Sequence, residues 1–148
     1  MLLKLEQNPA LQDIEVSIEY PEKNKKLERI VSFIHAVDSQ IECYSDNSIK
    51  LINVSDIYCV ESIDNKTIVF CEKEKFPVKS RLYQIYEQLT GKGFIQISKY
   101  CILNIHKLEK FTPLFNSCME ATLSNGIRQK ITRKYIAGIK RIMREESR

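Results

Sequence analysis

The sequence is poor in chain-breaking residues and has no tryptophan: its 148 residues include 4 Gly, 4 Pro and no Trp. This scarcity excludes collagen-like and low-complexity chains, whereas 43% hydrophobic and 28% charged residues are typical of a globular protein. The apolar runs are short, and none approaches the roughly 20 residues that a membrane-spanning helix needs. We therefore expect one soluble domain with a hydrophobic core of its own.

Signals for secretion, metal binding and nucleotide binding are also missing. The first 15 residues have neither the apolar run nor the cleavage site of a signal peptide. The cysteines are odd in number, scattered and without a C-x-x-C pair: Cys43, Cys59, Cys71, Cys101 and Cys118. The four glycines match neither the G-x-G-x-x-G pattern nor the P-loop. We expect a cytoplasmic protein without metal or cofactor.

No group of residues in the sequence predicts catalysis. Ser98 and His106 lack an acid that would orient the histidine. Glu61 and Asp64 fit the surface of a solvated hairpin better than they fit a catalytic pair of carboxylates held across a cleft. We therefore do not expect an enzyme.

Charge is distributed unevenly between the two halves of the chain. Residues 1–74 carry 14 acidic and 8 basic residues, a net charge of −6, whereas residues 75–148 carry 5 acidic and 15 basic residues, a net charge of +10. A cationic surface of this size attracts polyanions because neutralised phosphates release condensed counterions. The basic half therefore suggests nucleic acid, an anionic membrane surface or an acidic protein as a partner.

The first 40 residues predict a strand followed by a helix. Residues 14–20, IEVSIEY, alternate between apolar and polar side chains, as in a half-buried strand. The helical spacing of Leu27, Ile30, Val31 and Ile34 then predicts a helix over about residues 22–37, capped near Asn24. This unit, residues 1–40, is too short to fold alone and far too short for a phosphoacceptor receiver domain.

Residues 41–148 predict a second unit built mainly of short strands. Five β-rich runs, at about 41–44, 48–52, 57–63, 67–71 and 75–78, are separated by polar turns, with Asp64 and Asn65 in one of them. A helix follows Ser80 and stops at Gly91, and residues 94–98 and 107–112 are extended with an irregular piece between them. The predicted class is mostly β with flanking short helices, an α+β arrangement of antiparallel strands.

The end of the chain contains the clearest hairpin and a basic helix. Residues 119–131 alternate around Asn125 and Gly126, which predicts a type I′ turn, and Thr132 can cap a helix over about 133–145. Arg133 and Lys134 would place positive charge at the helix N-terminus, against its dipole. A bound phosphate would offset that cost, although surface cations in a solvated turn explain it equally well.

Four segments in order resemble the LytTR family of bacterial DNA-binding domains. They are IYCVES (57–62), FIQISKYCILN (94–104), MEATLSNG (119–126) and ITRKY (131–135). The resemblance covers about residues 42–145. It implies an elongated, mostly antiparallel β fold whose loops, rather than a recognition helix, enter successive major grooves of promoter DNA.

The resemblance also implies which residues contact DNA. Asn65, Lys99 and Arg133 match the base-contacting loops, and each side chain can hydrogen-bond to a base edge. The remaining candidates have weaker claims, as backbone-positioning or structural residues. They are Lys66, Lys79, Tyr100, Asn104 and Lys134. Asn104 follows an apolar run, a position where asparagine usually satisfies a buried turn.

The sequence predicts a sequence-specific transcriptional regulator that binds double-stranded DNA. The alternative from another class is an adaptor that binds an acidic protein or an anionic membrane surface through residues 75–148. We also expect a homodimer on paired half-sites, because two modules reach a higher specificity than one. Family members without a receiver often occur beside membrane proteins that restrain them, so a membrane protein is a candidate regulator.

Overall fold

The computed structural model describes residues 1–146, which form ten strands and three α-helices. The helices are α1 (Lys25–Val37), α2 (Leu82–Gln88) and α3 (Arg133–Glu146). The strands are β1 (Gln40–Ser45), β2 (Ser48–Asn53), β3 (Cys59–Ile63), β4 (Lys66–Phe70), β5 (Lys75–Val78), β6 (Phe94–Ser98), β7 (Cys101–Asn104), β8 (Leu108–Pro113), β9 (Met119–Leu123) and β10 (Arg128–Ile131).

The strands form three antiparallel sheets. The central sheet has five strands in the order β5-β4-β3-β7-β6. A three-stranded sheet, β10-β9-β8, and the hairpin β1-β2 complete the set. The class predicted from the sequence, mostly β with short helices, is therefore confirmed.

The central sheet is covered on both faces, and this divides the core into two clusters. Val60 and Ile102 lie in one cluster with residues of β1, β2, α1 and α2. Their neighbours Cys59 and Leu103 point to the opposite face and pack with β9, β10 and α3. Successive side chains of a strand point to opposite faces, so strands in the middle of this layer are apolar on both sides.

Most of the predicted strands and helices are confirmed, but two predictions between residues 80 and 107 were wrong. The segment predicted as irregular between residues 98 and 107 contains β7, whose four residues are all buried. Burial on both faces replaces alternation with a continuous apolar run, so the period-2 signal is absent there. Helix α2 begins after Arg81, not Ser80, and the Arg81 backbone N–H donates to Gln84 Oε1 at 2.8 Å.

The strand predicted at residues 14–20 is also absent from the described structure. Residues 1–22 contain no strand or helix and are exposed apart from the half-buried Ile18, and Ile14 is 87% exposed. Alternation makes a segment suited to a sheet, but a strand forms only when a neighbouring strand supplies its hydrogen bonds, and none lies beside this segment. We call residues 1–22 the N-terminal arm.

Helix α1 follows the arm and packs on the remainder of the chain. Asn24 caps it as predicted, since its Oδ1 accepts from the Leu27 backbone N–H at 2.9 Å. Ala36 of the helix is fully buried in the core cluster that contains Val60 and Ile102. His106 makes a further contact: Ser32 Oγ lies 3.1 Å from its Nε2, and the Phe33 ring meets it edge-on at 5.3 Å. Gly93 backs the same imidazole so closely that a Cβ there would collide with it. Helix α1 is thus held by a buried alanine and by contacts with the histidine that follows β7.

The β9–β10 turn differs from the predicted type. Gly126 has a φ of 91°, but Asn125 is not in the left-handed region, whereas a type I′ turn requires both. The Gly126 N–H donates to the Leu123 carbonyl at 2.9 Å and the Leu123 N–H to the Ile127 carbonyl at 2.8 Å. This is the three-residue hairpin, a type I turn followed by a left-handed glycine.

Replacing Gly126 with valine should lower the free energy of unfolding by about 1–3 kcal/mol, because a β-branched residue resists a positive φ. For a chain of this size, each kcal/mol lowers the melting temperature by about 2–4 °C. Gly138→Ala is the matched control: Gly138 lies in α3 with open space around it, so alanine should stabilise the helix by about 1 kcal/mol. Equal melting temperatures for Gly126→Val and the wild type would contradict the strained turn.

Candidate nucleic-acid interface

The β3–β4 hairpin carries the first predicted contact residue at its tip. Asp64 and Asn65 have φ values of 51° and 64°, as a type I′ turn requires, and asparagine and aspartate tolerate this region best among residues with side chains. Lys66, the first residue of β4, stands beside the tip. Because Thr67 pairs with Val78, the next residue, Lys79, lies at the same end of the sheet.

The β6–β7 turn is attached to this hairpin. The Ser62 N–H donates to the Tyr100 carbonyl at 2.9 Å, and the Tyr100 N–H donates to Ser98 Oγ at 3.2 Å. The turn therefore presents Lys99 next to the Asn65 tip, with the Lys99 ammonium 5.8 Å from the Tyr100 ring. Both side chains are exposed.

These two turns border a groove of about 1090 Å³, which we call the sheet-end groove. Five of the eight predicted contact residues line it: Asn65, Lys66, Lys79, Lys99 and Tyr100. Arg81 adds a fourth cation, and the described lining includes no carboxylate. Lys79 also lies 4.7 Å from the Tyr44 ring, which restricts its position. The groove is thus an open, positively charged surface suited to a polyanion.

Helix α3 begins on the other side of the β6–β7 turn. The Thr132 N–H donates to the Ile97 carbonyl at 3.0 Å, which sets Arg133 close to Lys99. Arg133 Nε donates to the Asn116 carbonyl at 2.9 Å. Lys134 is exposed and lies 5.7 Å from the Tyr135 ring. Two backbone hydrogen bonds, Ser62 to Tyr100 and Thr132 to Ile97, therefore arrange the three predicted loops in one row.

Asn104 is buried and therefore does not belong to this row of exposed loops. Its side chain is only 1% exposed; Nδ2 donates to the Ile57 carbonyl at 2.8 Å and Oδ1 accepts from the His106 N–H at 2.9 Å. These bonds connect β7 with the segment that precedes β3. The Asn104 side chain therefore has the structural role of satisfying buried backbone groups, which the sequence pattern indicated as the alternative to a DNA contact.

The sequence profile of the LytTr DNA-binding domain matches residues 47–144, which include every loop of the row. The chain belongs to the LytTR family. A transcriptional regulator of Staphylococcus aureus, described as uncharacterised and HTH-type, is 29% identical over 127 residues, covering 84% of this chain and 86% of the relative. The corresponding protein of another strain of that species is 28% identical over 127 residues, with the same coverage of both chains.

A solved structure shows the same fold. The LytTr DNA-binding domain of a protein from Bacillus cereus, named as a methyl-accepting/DNA response regulator, superposes with a TM-score of 0.66 at 20% identity. The superposition covers 71% of this chain and 96% of that domain. The description of the staphylococcal relatives as HTH-type has no counterpart among residues 1–146 here, because strands separate each helix from the next.

Three features of this LytTR chain were missed by the sequence reasoning. Arg81 lines the sheet-end groove, whereas the sequence pattern pointed only to Ser80 as the residue before the helix. Phe115, at the tip of the β8–β9 loop, is 95% exposed. Lys140 and Arg141 lie on the same helix face as Arg133, at spacings of seven and eight residues, which is the periodic signal that could have revealed them.

Ionisable groups away from the row have the properties of structural residues. Burial raises the pKa of Cys43 and Cys71 to about 11, and the hydrogen bond with Cys59, together with burial, raises the pKa of Cys101. Burial, with Arg29 and Lys107 nearby, lowers the pKa of His106. These four side chains are therefore neutral at pH 7, and the three thiols are poor nucleophiles.

Metal-binding clusters and membrane-spanning helices are both absent from residues 1–146. Side chains of histidine, cysteine, aspartate and glutamate form no cluster of three or more able to hold a metal ion in this part of the chain. None of the described helices is long and apolar enough to cross a membrane.

Proposed function

We propose that this LytTR protein is a sequence-specific transcriptional regulator that inserts its three loops into successive major grooves of promoter DNA. The observation that carries the proposal is the row of loops, in which two backbone hydrogen bonds tie the Asn65 tip, the Lys99 turn and the Arg133 helix start together. The family supports DNA as the ligand, and the names of the staphylococcal relatives support regulation of transcription. Such a regulator works in the cytoplasm.

The chemistry of the side chains suggests a division of roles within the row. Asn65 and Lys99 at turn tips and Arg133 at the start of α3 are exposed and can reach base edges. Asparagine pairs there with adenine, and arginine or lysine pairs with guanine. Their neighbours supply cations and a hydroxyl suited to phosphates, which fix the register of the protein on the duplex. These neighbours are Lys66, Lys79, Tyr100 and Lys134.

Selection of bound fragments from random duplex DNA tests the proposal. We expect enrichment of one motif, and an affinity for that motif at least about 10³-fold above the affinity for a scrambled duplex at physiological salt. Any cationic protein binds DNA weakly and loses affinity as salt rises, so only the affinity ratio is decisive. Binding without an enriched motif would favour the alternative, an adaptor for an acidic protein or an anionic membrane surface.

Dimerisation through the N-terminal arm is the second part of the proposal. The arm exposes an alternating apolar segment, and an unpaired segment of this kind adds readily to the edge of another sheet. A second copy bound at a neighbouring half-site would supply that edge and gain affinity through effective concentration.

Deleting residues 1–22 should leave the fold intact, because all of these residues except the half-buried Ile18 are exposed, and should abolish cooperative binding to paired half-sites. Binding of the truncated and full-length proteins to one and to two half-sites measures the effect, and circular dichroism controls for folding. A folded truncation that still binds two half-sites cooperatively would exclude the arm from dimerisation. The arm would then be left for another partner, such as the membrane-protein regulator that the resemblance implies.

A further inference from the structure

We propose that the outward face of α3, together with the β8–β9 loop, binds the phosphate backbone of DNA beyond the three loops. This inference rests on the proposed function, since it assumes that DNA lies along the row. It adds a contact surface that the sequence motifs did not indicate. We call this surface the α3 groove and define it by Ser117, Arg133, Lys140, Arg141 and Arg144.

The α3 groove is formed by one face of the helix and the adjacent loop. It has a volume of about 770 Å³, with Ser117 on the loop side and the cations on the helix side. The opposite face of α3 is apolar, and Ile139 is buried in the core cluster that α3 shares with β9 and β10. Packing of that face leaves the cationic face directed away from the sheet.

Charge in the groove is of one sign. Four cations line it, and its described lining contains no carboxylate. Neighbouring cations repel one another, and a bound polyanion reduces this repulsion. The groove therefore favours an anionic ligand.

The position of the groove favours DNA as that ligand. Arg133 belongs both to the row of loops and to the α3 groove, so the two surfaces are continuous. Lys140 and Arg141 lie seven and eight residues further along the helix, which corresponds to about 10–12 Å. Phosphates of one strand are spaced by about 3.4 Å along the duplex axis, so this distance spans about three of them.

The β8–β9 loop is at the same end of the molecule as the row. Met119 pairs with Ile131, which places the loop beside the start of α3, and Arg133 Nε holds the Asn116 carbonyl. Asn116 and Ser117 both have positive φ values, 66° and 60°, so the loop is bent sharply at this contact. Phe115, in the same loop and two residues before Ser117, is 95% exposed.

The test uses the full-length double variant Lys140→Ala/Arg141→Ala and measures duplex affinity at several salt concentrations. Two probes are compared: the duplex selected from the random pool, with flanks on both sides, and a scrambled duplex of equal length. We expect the slope of log affinity against log salt to become shallower by roughly 0.9 for each cation removed. The affinities for both probes should fall by the same factor, because phosphate contacts carry no sequence information.

The matched control is Lys73→Ala/Lys75→Ala. Both lysines are exposed and lie at the other end of β4 from Asn65, so their removal changes the net charge equally without touching the row. A wild-type salt slope in the α3 double variant, or an equal change in the control, would overturn the inference. The proposed function is judged separately, by the preference of the wild type for the selected over the scrambled duplex.

Discussion

Arg133→Ala is expected to weaken binding to the selected DNA site by about 1–3 kcal/mol and to relax base preference at one position. The loss should be seen mainly on the selected duplex, because a base contact contributes to specificity and a phosphate contact does not. Titration of the variant against the selected duplex, and against duplexes with each base pair changed in turn, measures both effects.

The geometry of Arg133 supports this expectation. Its Nε donates to the Asn116 carbonyl, which fixes the plane of the guanidinium. The guanidinium has further N–H donors on its two terminal nitrogens, in the fork that matches O6 and N7 of guanine. A side chain oriented before binding loses less conformational entropy when it binds.

Arg133→Lys separates a base contact from a phosphate contact. Lysine keeps the positive charge but has neither the planar fork nor an Nε to donate to Asn116. If Arg133 reads a base, the lysine variant should also lose preference at that position. Recovery of most of the affinity by lysine, or uniform weakening of the alanine variant on all sequences, would instead make Arg133 a phosphate contact.

The other two loop residues should behave in the same way at other positions of the site. Asn65→Ala and Lys99→Ala each remove one exposed hydrogen-bonding side chain from the row, and each should relax a different base position. Lys73→Ala provides the control for general charge. Wild-type affinity and base preference in all three alanine variants, Arg133→Ala included, would exclude the row as the reading surface.

Asn104→Ala is expected to lower the free energy of unfolding by about 2–4 kcal/mol, a melting-temperature decrease of about 2–4 °C for each kcal/mol. The substitution removes the bond to the Ile57 carbonyl and the bond from the His106 N–H. Ile57 is fully buried, so water cannot replace the partner of its carbonyl, and such an unpaired group costs about 1–3 kcal/mol. A small cavity adds to the loss.

Asn53→Ala is the control, since Asn53 is exposed and accepts a hydrogen bond from Gln40 at the surface. Its effect should remain within about 0.5 kcal/mol. At a temperature where the Asn104→Ala variant is still folded, its base preference in DNA binding should equal that of the wild type. An unchanged melting temperature would contradict the structural role, and altered base preference in the folded variant would return Asn104 to the DNA contacts.

Much of the candidate interface was accessible from the sequence, because its loops have recognisable local chemistry. Asp64 and Asn65 are turn residues between two alternating runs, and the motif around Lys99 resembles the family pattern. Asn104 could not be assigned in this way. An asparagine after an apolar run has the same local pattern whether it points to solvent or into the core, and only the Ile57 carbonyl, distant in sequence, decides between them.

The sequence by itself determined the elements whose energetics are local. They are strands β1 to β5, the β9–β10 hairpin and the three helices. Side-chain period and turn residues act over a few neighbouring positions, so they can be read without the fold. Tertiary structure decided what depends on partners distant along the chain. It made residues 101–104 a central strand, left residues 14–20 without a neighbouring strand, and aligned the Asn65, Lys99 and Arg133 loops through hydrogen bonds between different elements.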